Sequence, residues 1–82
     1  MSDHAMWIER GAVVRHGEVS TWVVMHDLGP SGMTKYPGGP TIEEAERTAA
    51  SHAGQYGYRV VAFAGRPDRI DCSLAPIDPL VT

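Results

Sequence analysis

The sequence predicts an α+β fold: a single mainly antiparallel sheet of four to five strands with one helix packed on one face, in the order β-β-β-α-β. Three observations carry that expectation. β-branched and aromatic residues crowd two stretches, 6–28 and 58–64, and such side chains suit a pleated, half-buried surface. Between them, residues 41–55 combine a capping box with helical periodicity. Clusters of glycine and proline punctuate the junctions.

Taken in order, residues 6–15, bent at Gly11, pair antiparallel with residues 18–27, and His16-Gly17 makes the turn. Leu28-Gly29-Pro30-Ser31-Gly32 returns the chain into a short strand, 33–36, which Pro37-Gly38-Gly39-Pro40 is expected to end. Thr41 and Glu44 then have the T-x-x-E spacing in which each side chain satisfies a backbone N–H at the start of a helix. The helix runs from Ile42 to about Gln55. Ile42, Ala45, Ala49 and Ala53, joined by Tyr56, form its apolar stripe. Glu43, Glu46, Arg47, Ser51, His52 and Gln55 read as its solvated side, and Gly54 and Gly57 stop it. Residues 58–64 are apolar on both faces and are expected inside the sheet. A turn at 65–68, a last strand at 69–74 and an irregular tail at 75–82, marked by Pro76 and Pro79, complete the chain.

At 82 residues the chain predicts one domain, 1–82, with one core. A domain of this size hides roughly 60–65% of its unfolded surface, so its stability is modest. Cys72 is the single cysteine, which excludes an internal disulfide. With the polar start Met1-Ser2-Asp3-His4, it predicts a cytoplasmic protein. No apolar run approaches the roughly 20 residues of a membrane-spanning helix. The net charge of −3 is too mild to imply nucleic acid or its acidic mimic.

Motifs for chemistry are absent. Cys72 sits in the strand-like Ile70-Asp71-Cys72-Ser73-Leu74 and reads as a packing residue rather than a nucleophile. His4, His16, His26 and His52 show no ligand spacing and read as surface or turn residues. Gly29-Pro30-Ser31-Gly32-Met33 has methionine where a hydrolase elbow needs glycine. Glu43 and Glu44 would repel a phosphate from the helix start. The expectation is therefore no enzyme, no metal and no cofactor.

One helix covers one face of such a sheet, whereas Trp7, Trp22, Val24, Val61 and Phe63 suggest apolar groups on both. The tail, a second copy in a homodimer, or a protein partner is expected to cover the other face. Tryptophan, tyrosine and arginine dominate interface energies. Trp7, Trp22, Tyr36, Arg59, Arg66 and Arg69 are accordingly the candidate partner-binding residues. The alternative is a nucleic-acid-binding module using the arginines and aromatics of the sheet.

In size, and in the order of elements from residue 6 to residue 74, the chain resembles the small inhibitors that phages and mobile elements encode against bacterial defence, anti-CRISPR proteins among them. Thr41-Ile42-Glu43-Glu44-Ala45 followed by strand 58–63 also resembles the helix-strand unit of several short bacterial domains. The inhibitor resemblance implies a non-enzymatic protein that docks on a CRISPR effector complex and sterically blocks DNA binding or nuclease recruitment.

Overall fold

Alternation along two strands decides which side of the sheet becomes the core. In β1 (Ala5–Arg10) Met6 and Ile8 are buried, and in β2 (Trp22–Asp27) Trp22, Val24 and His26 share that face. Side chains two apart lie on the same side of a strand, so these residues form one platform. The computed structural model describes residues 4–11 and 21–77. The expected turn at His16-Gly17, the adjoining strand ends and tail residues 78–82 lie outside the described residues.

After a 3-10 turn at Gly29–Ser31, the chain forms β3 (Met33–Gly39), α1 (Ile42–Gln55), β4 (Tyr58–Arg66) and β5 (Arg69–Pro76). All pairings are antiparallel and the sheet order is β3-β2-β1-β5-β4. The architecture is the expected α+β one: among the described residues, a five-stranded antiparallel sheet with one helix packed against it.

The helix forms where its local chemistry requires. Thr41 is extended, and its hydroxyl accepts the Glu44 N–H at 3.2 Å, satisfying a donor that the first turn leaves unpaired. Ala45, Ala49 and Ala53 are fully buried against the sheet. Their small side chains let the helix approach β3 so closely that a Cβ on Gly38 would stand 3.0 Å from that of Ala45. Gly57 ends the element in the left-handed region at φ 83°, where other residues are strained.

β4 runs to Arg66, two residues into the expected turn, and three further features differ from expectation. β3 continues through Pro37 to Gly39 rather than stopping at Tyr36, because an edge strand has one side with no ladder donor to lose. β5 runs to Pro76, two residues past the expected end, for a related reason: Pro76 is its last residue, opposite Tyr58. The third difference is larger. β4 lies at the edge of the sheet and not inside it. A register shift between Val60 and Ala62 inserts Val61 as an extra residue. The bulge reverses the alternation, so that Val60 and Phe63 both pack against the helix-side core while Val61 is half exposed.

The face away from α1 is divided. Val23 and Met25 are buried there with Trp7 packed on them. On β5, Arg69, Asp71 and Ser73 are exposed, as are Ala62 and Ala64 on β4.

Candidate functional site

Two features stand apart from ordinary packing among the described residues: an uncharged outer strand of the sheet and a row of three histidines, two of them buried. The edge is best seen against its opposite. β3, the other outer strand, carries the exposed Lys35 and Pro37, and its pairing with β2 is irregular between Trp22 and Val23. Lysine, proline and irregular pairing are the means by which sheets keep foreign strands away. β4 is nine residues long and has neither lysine nor proline. From Val60 to Gly65 it bears no charge, with Arg59 and Arg66 at its two ends. Its bulge lies in the first half, leaving Ala62 to Arg66 in regular register with β5. Among the described residues, β4 pairs with β5 alone.

The histidines come together from three parts of the chain. His26 projects from β2 beside Val24 and Trp22 and is fully buried, and His52 in the last turn of α1 is 4% exposed. His4 precedes β1. His4 Nδ1 lies 2.9 Å from His26 Nε2, and His26 Nδ1 lies 3.0 Å from His52 Nε2. Tyrosines enclose the row: Tyr36 lies 4.0 Å from the His52 ring centre, Tyr56 stands edge-on to His26 at 4.8 Å, and Tyr58 lies 5.0 Å from His4. The expectation that His26 and His52 are surface or turn residues is thus corrected. Position 52 follows Ala45 and Ala49 at helical spacing and continues the buried stripe. That spacing was the signal in the sequence, but a histidine among Ser51 and Gln55 read as polar surface.

Burial disfavours the charged form of the His26 and His52 rings. His26 is lowered from 6.5 to about 4 by burial first, then by His52 and His4, with Asp27 opposing. Burial lowers His52 as well. The hydrogen bond to Tyr36 raises the Tyr56 phenol above its usual range. Because the two nitrogens of His26 serve different partners, the three rings do not converge on one point. Among the described residues no group of three His, Cys or acidic side chains is placed to hold a metal. The row ends at an open depression of about 310 Å³ where Tyr36, Arg47 and Ser51 join His52. Opposite His26, the buried Thr34 hydroxyl has no hydrogen-bond partner among the described residues.

The six candidate partner-binding residues are dispersed. Trp7 and Arg69 come together on the face away from α1, where the guanidinium lies 4.6 Å over the indole. The Trp7 N–H donates to Glu9 at 2.6 Å, and Arg69 pairs with Asp71 at 3.1 Å. Trp22 is a core residue beneath the helix, 6% exposed. Tyr36 is half-buried in the histidine cluster on that same side. Arg59 is exposed near the start of β4, and Arg66 closes that strand opposite Arg69. Cys72 is buried, and burial, then Asp71 and Glu46, push its thiol up to about 12, which leaves it protonated and unreactive at neutral pH.

Compared with protein-family models, curated proteins and solved structures, the chain matches none.

Proposed function

We propose that this chain is a non-enzymatic protein-binding module whose β4 accepts an extended segment of a partner protein as a sixth strand. The observation that carries the reading is the contrast between the two sheet edges, one guarded by Lys35 and Pro37 and the other open and uncharged along Val60 to Gly65. Main-chain hydrogen bonds supply affinity in this mode of recognition, and flanking side chains supply selectivity. Arginines at both ends favour a partner strand that is apolar in the middle and acidic at its ends. A second copy of β4 would bring its own pair of arginines instead. Occluding the partner's segment is the steric inhibition that the anti-CRISPR-like layout implies, and a bacterial defence complex is the class of target it suggests.

The nucleic-acid alternative has less support. Arg10 faces Asp68 at 3.7 Å and Arg69 faces Asp71, so two of its arginines already stand beside carboxylates.

A photo-crosslinking residue at Val61, probed with extended peptides bearing acidic, neutral or basic flanks, tests the reading. Acid-flanked apolar peptides should crosslink best, and Arg59→Glu, at an exposed position, should shift preference toward basic flanks. Equal labelling by all three peptide classes would overturn it. A β4–β4 crosslink between two copies, with a dimer in light scattering, would overturn the choice of a foreign partner.

A further inference from the structure

The histidine row obeys a proton count that no isolated histidine does. Each N···N contact requires one proton, donated by one ring and accepted by the other. Three neutral rings carry three protons. Two fill the contacts between His4, His26 and His52, and the third sits on an outer nitrogen at either end. A fourth proton gives the row a single positive charge while every contact still holds one proton. It can reside on any of the three rings by shifts along the existing bonds. A fifth proton forces two N–H groups to face each other, and a contact must break.

We propose that His4, His26 and His52 act as one proton-loading site, which holds a single excess proton with both ring contacts intact and opens on the second, unclamping the end of α1 from the sheet. The placement makes this a clamp: His52 belongs to the last turn of α1, His26 to a central region of the sheet and His4 to the lead into β1. The following titratable and charged groups stand around it among the described residues. Asp27 of β2 favours a positive His26, though its Oδ1 also accepts the Gly29 N–H at 2.9 Å. From β3 and the α1–β4 connection come the phenols of Tyr36 and Tyr56, with Tyr58 opening β4. On α1, Arg47 lines the depression beside His52. β5 contributes Cys72, across Met6 from His26, as a neutral thiol. Only Asp27 among these offsets a second positive charge.

If the clamp opens, the turn leading to Tyr58 and the start of β4 loosens with it, and pairing at that edge weakens in acid. This consequence rests on the edge reading, whereas hydrogen exchange reads the clamp directly, so either can fail alone.

The test is ring-nitrogen NMR of the full chain from pH 8 to pH 4, with His16 assigned through a His16→Gln variant, alongside amide exchange over residues 50–58. The expected result is that the three rings shift together and take up one proton while protection is retained, and that protection is lost on uptake of the second. His26→Gln should uncouple His4 from His52. Should that variant not fold, His52→Gln keeps a hydrogen-bonding group and forces any second proton onto adjacent rings, so opening should move to lower pH by about one unit. Three independent titrations, an unchanged opening pH in His52→Gln, or zinc shifting all three rings at once would overturn the proposal.

Discussion

The two halves of α1 are buried by opposite means. Its first half meets the sheet through Ala45 and Ala49, with Gly38 beneath, and the contact is backbone-close and apolar. Its last turn meets the sheet through His52, which reaches His26 and lies against Tyr36 and Tyr56. The first contact tolerates no added volume. The second depends on polar partners that each ring must keep. A small domain can therefore join one helix to one sheet with steric specificity at one end and hydrogen-bond specificity at the other.

The largest effect is expected where volume is added at the alanine end. Ala49→Leu places a branched side chain where exposure is 0% and should cost about 3 kcal/mol in urea unfolding. The histidine end should instead show its cost in pH. Because the folded-state value of His26 is lowered from 6.5 to about 4, the unfolded chain binds more protons between those values. Stability is then full above pH 6.5 and declines as pH falls toward 4, by about 2 kcal/mol, as followed by denaturant midpoints across that range. Gly38→Ala sharpens the comparison, since the new Cβ would lie 2.9 Å from the Trp22 carbonyl oxygen. It should cost about 1.5 kcal/mol and leave the pH profile unchanged. Thr41→Ala, which removes the cap far from the histidines, should cost about 1 kcal/mol with no pH dependence of its own. The smallest effect is expected at Cys72. With its thiol pushed up to about 12, it should resist alkylation at pH 8 in the folded protein and react once urea exposes it.

How far the sequence could be read follows the same division. The alanine stripe and its cap were legible, since period and capping are properties of neighbours in the chain. The histidine cluster was not. His4, His26 and His52 are far apart in sequence, and each alone resembles a polar surface residue. The far face shows an intermediate case: Trp7 and Arg69 were singled out for their chemistry, but their stacking depends on β1 lying beside β5. Strand 58–64 was misplaced for a different reason. An apolar run on both faces describes a central strand, yet a single inserted residue at Val61 changes which side chains face the core.

By itself the sequence determined the class of fold, the helix with its start and stop, and the strandlike character of the segments around it. Those properties arise from contacts within a few residues, where dihedral preference, capping and periodicity act. Only the tertiary structure decided that β4 is an outer strand among the described residues, that Trp22 is core, and that three separated histidines lie within hydrogen-bonding distance of one another. Each of these depends on which strands lie side by side, and that choice is made by long-range pairing and burial that no local pattern records.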